Sequence, residues 1–443
     1  MKNPNILLIM TDQQSADALS CAGNPYLNTP SLDRLDRASV RFDAAYSSYP
    51  LCVPARMSMF TGRMPHELGI YVNSAEADEP CAAPLVAPRL RDAGYRCHYV
   101  GKWHLTVPQN RRDEHGFEEV VFGGGYGDLD SAKAAEAAKF LEQEHDYPFF
   151  LVVSFNNPHD CCELSRGAPL RMGELPEEPA SADLPPAPVN WEAASDCIPA
   201  LCRFQREQDN IFRALEWSEE EVRRYRWGYN RLVEMADHEI GKVLDALERS
   251  GQWDDTLIIF TSDHGDGQGA HRWNQKWCMY DEVSRVPFMI KAPGVNPPAG
   301  RQALPVSATL DLAPTICDYA DVSAPAPQRG QSLRPLIENP ESCGERPFVA
   351  GECSFGTWAP LHDDQGWPKC RMIRSRRYKY IVYAPAEPPR EQLFDMDNDP
   401  HEATNLAADP GYAEILERHR AWLQQWCKET SDSFATTDKT NVE

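Results

Sequence analysis

The sequence lacks any run of about 18 apolar residues, the length that a transmembrane helix needs. Basic residues are also scarce, with 44 Lys and Arg against 67 Asp and Glu and a net charge of −23. A surface of that sign repels both nucleic acid and anionic membranes. We therefore expect no membrane-spanning segment, no nucleic-acid partner and no membrane partner.

A disulfide framework is missing as well. The 14 cysteines are scattered through 443 residues without the regular spacing of small secreted domains. The apolar stretch 6–10 is brief and is not followed by a small-residue cleavage site, so we interpret it as a core strand and not as a signal peptide. We expect mostly reduced thiols and a cytoplasmic protein. A leader removed before position 1 would instead place the protein in the periplasm or outside the cell.

Several short apolar runs end in polar residues, at 5–10, 95–100, 148–156 and 256–260. Continuous runs of this kind predict strands that are buried on both faces of a parallel sheet. The carboxyl ends of such strands are where α/β proteins place their sites. The chain is long enough for one large domain and a smaller one. The predicted fold class is α/β, with a large, mostly parallel central sheet flanked by helices.

Candidate metal ligands follow the first and the last of these runs. The first ends at Asp12 and Gln13, which offer oxygen atoms. The last ends at Asp263 and His264, an adjacent acid and imidazole with glycines nearby that permit close backbone approach. Taken singly, each pair also suits a polar turn at the end of a strand.

Candidate cations follow the two middle runs, those at 95–100 and 148–156. Lys102 and His104 alternate, so both side chains can point the same way from an extended segment and form an anion pocket. His159 comes directly after the third run. A solvated loop would explain each of these segments equally well if it stood alone.

The stretch 49–63 contains the most informative cysteine. The proline two residues after Cys52 suits the first turn of a helix, the run 55–60 favours helix, and Gly62 can end it. Cys52 should therefore lie at a helix N-terminus, where negative charge is stabilised, and Arg56 adds a cation one turn on. A bare Cys-x-Pro-x-Arg pattern also fits a buried structural cysteine.

Together these motifs resemble the formylglycine-dependent sulfatases of the alkaline-phosphatase-like superfamily. The resemblance covers nearly the whole chain. It rests on the Cys-x-Pro-x-Arg stretch that begins at Cys52 and runs into Thr-Gly-Arg, on Gly-Lys-x-His at 101–104, and on Thr-Ser-Asp-His-Gly at 261–265. The family usually has two adjacent aspartates where this chain has Asp12 and Gln13. The glutamine can still offer a carbonyl oxygen, with one negative charge less.

The resemblance implies a modified residue and a metal. A maturation enzyme would convert Cys52 to formylglycine, an aldehyde whose hydrate is the nucleophile. One divalent cation is implied, with Ca²⁺ as the family's usual ion and Mn²⁺ or Mg²⁺ as alternatives. The implied metal ligands are Asp12, Gln13, Cys52, Asp263 and His264.

The resemblance also implies a set of catalytic roles. Arg56, Lys102 and Lys276 would hold the anionic group of the substrate. Asp263 would take the proton of the attacking hydroxyl, His104 would assist the elimination, and His159 would be the general acid. The implied catalytic residues are therefore Cys52, Arg56, Lys102, His104, His159, Asp263 and Lys276.

The predicted domains are a catalytic domain over 1–340 and a small C-terminal subdomain over 341–443. A Pro-, Ala- and Glu-rich stretch at 161–217 predicts an irregular insertion within the first. In the second, short antiparallel strands and an amphipathic helix at 412–430 are similar to the C-terminal subdomain of the sulfatases.

The predicted function is hydrolysis of a sulfate ester, on a sulfated carbohydrate or small molecule. The first alternative is a phosphonate monoester or phosphodiester hydrolase of the same superfamily. Those relatives typically have uncharged side chains where this chain has Lys102 and His104, which favours the sulfatase. The second alternative is a non-catalytic protein that binds sulfated glycans and whose Cys52 is never oxidised.

Overall fold

The computed structural model describes residues 3–73, 83–124, 128–193, 212–295, 300–339, 346–354, 369–384 and 390–435. None of the helices in these ranges is both long enough and apolar enough to cross a membrane. The ten cysteines that lie in them are all free thiols. The cellular location of the protein stays a prediction.

Strands and helices alternate through most of the chain. The strands are β1 Asn5–Asp12, β2 Val40–Phe42, β3 Ala45–Tyr46, β4 Arg96–Gly101, β5 Glu119–Val121, β6 Phe149–Pro158, β7 Thr256–Ser262, β8 Phe288–Lys291, β9 Arg301–Gln302, β10 Val306–Ser307, β11 Val349–Ser354, β12 Lys369–Arg374, β13 Tyr378–Ala384 and β14 Arg390–Asp395. The α-helices are α1 Pro30–Arg37, α2 Cys52–Thr61, α3 Pro65–Leu68, α4 Val86–Asp92, α5 Arg112–His115, α6 Asp130–Leu141, α7 Cys161–Arg166, α8 Glu219–Arg249, α9 Asp281–Ser284, α10 Leu312–Tyr319, α11 Arg334–Glu338 and α12 Ala413–Thr430.

The central sheet has eight described strands in the order β5-β4-β6-β1-β7-β8-β2-β9. Of these eight, β8 runs antiparallel to both of its neighbours, and the other pairings are parallel. The prediction of a large, mostly parallel sheet is confirmed.

Strand β1 shows why its sequence is an unbroken apolar run. Ile6, Leu8 and Met10 pack into the core on one face of the sheet, together with side chains from α2, α4 and α10. Leu7 and Ile9 pack into the core on the other face, with side chains from α1, α6 and α8. Burying one such side chain contributes about 1.5–3 kcal/mol. Helices cover both faces of the sheet at β1. A strand with polar side chains on one face would therefore lose the stabilisation that burial of apolar side chains provides there.

The sheet topology brings four predicted strand ends to one edge. Strands β4, β6, β1 and β7 are consecutive neighbours and parallel, so their carboxyl ends lie side by side. Thr11 is paired with Ser262, and Asp12 is paired with Pro158. The polar residues that follow these strands are therefore neighbours in space, although about 250 residues of chain separate the first from the last.

The stretch 40–46 divides between two sheets. Strand β2 pairs with β8 and β9 in the central sheet, and β3 pairs with β10 in a separate two-stranded sheet. The irregular stretch expected over 161–217 begins with the helix α7, which Gly167 ends in a left-handed conformation with a φ of 66°. Residues 194–211 of that stretch lie outside the described residues.

The long helix α8 begins with a capping box. The side chain of Ser218 accepts a hydrogen bond from the backbone N–H of Glu221, and the carboxylate of Glu221 accepts one from the backbone N–H of Ser218. This reciprocal pair satisfies two backbone donors that the helix itself cannot pair.

The C-terminal segment forms a four-stranded antiparallel sheet in the order β11-β12-β13-β14, and α12 follows it. One face of this sheet packs on α12, and the other packs on side chains near β3 and α9. The predicted antiparallel sheet and terminal helix are confirmed. The predicted boundary near 340 stays a prediction, because residues 340–345 lie outside the described residues.

Candidate active site

Cys52 is the first residue of α2 and its side chain is fully buried. Leu51 precedes the helix in an extended conformation, and Gly62 ends it with a φ of 69°. The predicted position of Cys52 at a helix N-terminus is confirmed. The helix points this terminus at the edge of the sheet where the four strands end, as the neighbouring side chains show.

Four buried side chains form a group that could hold a metal ion. Ligand atoms of Asp12, Cys52, Asp263 and His264 all lie within 4.8 Å of one another. The Nδ1 atom of His264 donates to the carbonyl oxygen of Gly265 at 2.9 Å, so Nε2 is the ring nitrogen that faces the Cys52 Sγ atom, at 3.3 Å. Two carboxylates and an imidazole are suitable ligands for a divalent cation. The residues present therefore fit the predicted metal.

Gln13 lies beside this group and is oriented by two acceptors. Its Nε2 atom donates to Asp266 Oδ2 at 2.8 Å and to Gln275 Oε1 at 2.9 Å. Its Oε1 atom therefore lies on the opposite side, 3.5 Å from the Nζ atom of Lys276. The backbone N–H of Gln13 donates to Asp263 at 3.1 Å, and the residue has a positive φ of 72°. The carbonyl oxygen of Gln13 thus lies on the side of Lys276, whose Nζ atom is 3.4 Å from the Cys52 Sγ atom.

Arg56 has a different place from the predicted one. It is fully buried and lies behind the two carboxylates, with Nη2 3.1 Å from Asp12 and Nε 2.8 Å from Asp263. Its Nη1 atom donates to the Lys102 carbonyl at 2.9 Å and to the Ser154 hydroxyl at 2.7 Å. These contacts hold the two acidic side chains in position. The expected role of Arg56 in binding the anionic group of the substrate does not match this geometry.

Three other basic residues surround Cys52. Lys276 Nζ is 3.4 Å and Lys102 Nζ is 3.9 Å from the Cys52 Sγ atom, and His104 hydrogen-bonds the same side chain. Burial alone would raise the pKa of the Cys52 thiol, but the charges of these two lysines and of His264 lower this pKa well below its ordinary value. Position 52 is therefore a place where negative charge is stabilised.

The histidines differ in their surroundings. Burial and the charge of Lys102 lower the pKa of His104 to about 4, so its imidazole is neutral near pH 7. His159 is partly exposed, and its Nε2 atom lies 3.4 Å from Lys276 Nζ and 3.9 Å from Asp12 Oδ1. His159 thus lies at the border between the buried group and solvent, where a leaving group would depart.

The structure brings together every site residue that the sequence singled out, and it adds others. Asp266 and Gln275 accept from the side-chain amide of Gln13, and the hydroxyl of Ser154 accepts a hydrogen bond from the guanidinium of Arg56. Asp266 stands in the same short motif as Asp263. Its closeness to the candidate ligands in the sequence could have identified it as a site residue. Gln275 and Ser154 gave no comparable signal in the sequence.

Two basic residues of the same loop, His271 and Arg272, contact other side chains and not the buried group. His271 stacks on Tyr280 with ring centroids 3.8 Å apart, and it is hydrogen-bonded to Asn190 at 3.1 Å. Arg272 lies over the ring of Trp191, 3.8 Å from its centroid. Both side chains support the loop that leads to Lys276.

Comparisons with known proteins agree with this geometry. A family model of sulfatases matches residues 4–322, and a model of the C-terminal region of N-sulphoglucosamine sulphohydrolase matches 269–429. Similar proteins include the Delta 4,5-hexuronate-2-O-sulfatase of Bacteroides thetaiotaomicron, 30% identical over 98% of this chain and 90% of that protein. The choline-sulfatase of Rhizobium meliloti is 32% identical over 92% of this chain and 83% of its own.

A solved structure of a 2-O GAG sulfatase is similar to this one with a TM-score of 0.83, at 28% identity, over 98% of this chain and 94% of that one. The sulfatase model alone spans well over half of the sequence. Its match includes the residues from Asp12 to Lys276 that form the buried group and its surroundings. The chain belongs to the sulfatase family.

Proposed function

We propose that this protein hydrolyses a sulfate ester on a carbohydrate, with a nucleophile made from Cys52. One observation supports this most directly: two lysine ammonium groups and the candidate metal ligands all converge on the Cys52 side chain. Lys102 and Lys276 lie within 3.9 Å of its sulfur atom, and Asp12, Asp263 and His264 share the ligand group with it.

These local cations resolve an electrostatic difficulty. The protein has a net charge of −23, which disfavours an anionic substrate at long range. Buried ammonium groups close to the reacting centre act in a low dielectric, where charge-assisted hydrogen bonds to sulfuryl oxygens are strong. We assign this contact to Lys102 and Lys276, and we assign to Arg56 the positioning of the two carboxylates.

Formylglycine at position 52 would supply two hydroxyls on one carbon when hydrated, one to attack sulfur and one to expel sulfate. A divalent cation, for which we propose Ca²⁺, would be held by Asp12, Gln13, Asp263 and His264 and would polarise the sulfate ester.

The side chains of the protein then move the protons. Asp263 accepts the proton of the attacking hydroxyl, and His159 donates a proton to the oxygen of the departing alcohol. The neutral imidazole of His104, already hydrogen-bonded to position 52, accepts the proton of the second hydroxyl when sulfate leaves. The partly exposed position of His159 suits a contact with a leaving group that extends toward solvent.

A carbohydrate substrate is supported by two of the similarities. The C-terminal model is named for an N-sulphoglucosamine sulphohydrolase, and one relative is named a hexuronate sulfatase. Another relative is a choline-sulfatase, so the substrate class needs a direct test. The measurements are sulfate release from a panel of sulfated mono- and disaccharides and from choline sulfate, and phenol release from an aryl phosphonate monoester. Preference for choline sulfate would overturn the carbohydrate proposal, and preference for the phosphonate would overturn the sulfatase itself.

Conversion of Cys52 is tested separately by mass spectrometry of its tryptic peptide. Formylglycine replaces the thiol sulfur by oxygen and removes two hydrogens, which gives a resolvable loss of mass. A peptide that retains the thiol in active protein would show that the nucleophile is a different group.

A further inference from the structure

We propose that Asp266 is a positioning residue that orients the amide of Gln13, so that the carbonyl oxygen of Gln13 faces the metal ligands. This inference rests on the proposed metal site, in which Gln13 is a ligand. Asp266 itself is not one of the four residues whose ligand atoms lie within 4.8 Å of one another. It would therefore act on the metal through Gln13.

The carboxylate of Asp266 is fully buried and is fixed by backbone donors. Its Oδ1 atom accepts from the N–H of Gln268 at 2.8 Å, and its Oδ2 atom accepts from the N–H of Gln275 at 3.0 Å. The hydroxyl of Tyr225 lies 3.1 Å and 3.0 Å from these two oxygens. Because backbone N–H groups can only donate, the carboxylate presents an acceptor to Gln13 and cannot rotate away.

The amide of Gln13 has one donor end and one acceptor end. Its Nε2 atom meets two acceptors, Asp266 Oδ2 at 2.8 Å and Gln275 Oε1 at 2.9 Å. A flipped amide would place its oxygen against both of them. The observed orientation is therefore strongly preferred, and it directs Oε1 to the side where Lys276 and Cys162 lie at 3.5 Å and 3.7 Å.

The same contact explains why a neutral residue follows Asp12. An aspartate or glutamate at position 13 would bring a second anion against the buried carboxylate of Asp266, and like charges at such close range are costly. An amide satisfies Asp266 with its nitrogen and still offers an oxygen to the metal. The pairing thus retains an oxygen ligand at position 13 without adding a charge there.

The test is a double-mutant cycle read by Ca²⁺ binding. The wild-type protein, Gln13→Ala, Asp266→Asn and the double variant are stripped with a chelator and titrated with Ca²⁺ by calorimetry. An asparagine at 266 has one acceptor oxygen where the carboxylate has two, so it cannot accept from Gln268, Gln275 and Gln13 together and should hold the amide of Gln13 less firmly. We expect each single variant to lose roughly 10–100-fold in Ca²⁺ affinity, the usual cost of altering a ligand's outer partner. The double variant should bind like Gln13→Ala, because Asp266 acts only through Gln13.

A matched control is Asp237→Asn. Asp237 is another buried carboxylate that accepts from two backbone N–H groups, those of Ser31 and Leu32 at the start of α1. Its replacement removes a buried charge in the same way, but it should leave Ca²⁺ affinity unchanged. Thermal unfolding of every variant in excess chelator reports whether the metal-free fold is retained.

The outcomes separate the inference from the proposals on which it rests. An additive loss in the double variant would overturn the positioning role of Asp266. Unchanged affinity in Gln13→Ala would remove Gln13 from the metal site and overturn the inference with it. The cycle does not depend on turnover, so an absence of sulfatase activity would count against the proposed function alone.

A second variant keeps the test available if Asp266→Asn does not fold. Gln275→Met removes the other acceptor of the Gln13 amide and leaves the backbone N–H of residue 275 in place. We expect a several-fold loss of Ca²⁺ affinity from it in the wild-type background and none in the Gln13→Ala background. Equal losses in both backgrounds would contradict the proposal.

Discussion

Two regions supply the charged groups around Cys52, and they are supported in different ways. In the strand-end region, Asp12 is the last residue of β1, and Lys102 and Asp263 follow directly on β4 and β7; all three strands lie in the parallel part of the central sheet. In the loop region, residues 268–277, Lys276 has no strand or α-helix to hold it. Both regions nevertheless place an ammonium group within 3.9 Å of the same sulfur atom.

The backbone of the loop region is strained and is held by side chains. Five of its non-glycine residues have a positive φ, which is uncommon for residues with a Cβ atom. They are Gln268, His271, Arg272, Gln275 and Trp277. Asn274, which is buried, accepts from the backbone N–H groups of Arg213 and Ala214, both at 2.9 Å, and donates to Ser165. These side-chain hydrogen bonds hold the loop in place, as the backbone hydrogen bonds between strands hold Asp12 in place.

The two regions should respond differently to damage. Damage to the strand-end region should appear in metal binding, in stability and in the chemical step, because the ligands and the nucleophile depend on it. Damage to the loop region should appear mainly in substrate turnover, because on our assignment this region positions Lys276 for the sulfuryl group. Gln275 is the exception, since its side chain also accepts from the amide of Gln13.

The largest expected effect comes from Cys52→Ala. We expect kcat/KM to fall by roughly 10⁴–10⁶-fold, since removal of a catalytic nucleophile has a cost of this order. The backbone of α2 does not depend on the thiol, so the thermal unfolding temperature should change little. The measurement is sulfate release by matched preparations of variant and wild type. Activity above that of an unconverted wild-type sample would exclude position 52 as the nucleophile.

His159→Ala should have an effect that depends on the leaving group. General-acid assistance contributes roughly 10²–10⁴-fold, and it matters most when the alcohol leaves poorly. A sulfated sugar should therefore lose far more kcat/KM than a nitrophenyl sulfate, whose phenol leaves without help.

Lys102→Ala is the control for this substrate comparison. Lys102 contacts the sulfuryl group common to both substrates on our assignment, so both should lose kcat/KM alike. Equal losses on the two substrates for His159→Ala would show that His159 binds sulfate and does not donate a proton.

Arg56→Met should show the structural role of the strand-end region. It removes the cation that the buried carboxylates of Asp12 and Asp263 share. Asp12 keeps its ion pair with Lys102, but Asp263 loses its guanidinium partner, and breaking a buried pair in this way costs about 3–5 kcal/mol. We expect that loss in the free energy of unfolding, measured with urea in the presence of a chelator. Arg34→Met is the control, because its partly exposed pairs with Asp245 and Glu248 should contribute about 1 kcal/mol or less. Similar losses for the two variants would contradict the positioning role of Arg56.

The smallest expected effect comes from the loop region. Asn274→Ala leaves two backbone N–H groups without their acceptor, which costs about 1–3 kcal/mol of stability. We expect kcat/KM to fall roughly tenfold, since a full ångström of misplacement can cost roughly 10²-fold. Ca²⁺ affinity, measured by calorimetry, should stay at the wild-type value.

Asn405→Ala is the matched control for the loop variant. Asn405 also accepts from two backbone N–H groups, those of Leu393 and Ala407, but it lies in the C-terminal sheet segment. Its replacement should leave turnover unchanged. A loss of Ca²⁺ affinity in Asn274→Ala would show that the two regions are not separable as described.

The sequence by itself determined the parts of this protein that depend on local pattern. Unbroken apolar runs predicted the central parallel strands, because helices cover both faces of the sheet. The residues at the strand ends, such as Asp12 and Asp263, were found because a polar residue directly after a buried strand has to lie at the edge of the sheet. The helix start at Cys52 followed from the proline and the helix formers around it.

Only the tertiary structure decided how these groups are paired. The place of Arg56 between two carboxylates, and the orientation of Gln13 by Asp266, depend on contacts between residues that are 207 and 253 positions apart in the chain. The split of the stretch 40–46 between two sheets likewise depends on distant partners. The acceptor that binds the nitrogen of an amide fixes the direction in which the amide oxygen points. No pattern within a short stretch of sequence specifies that acceptor.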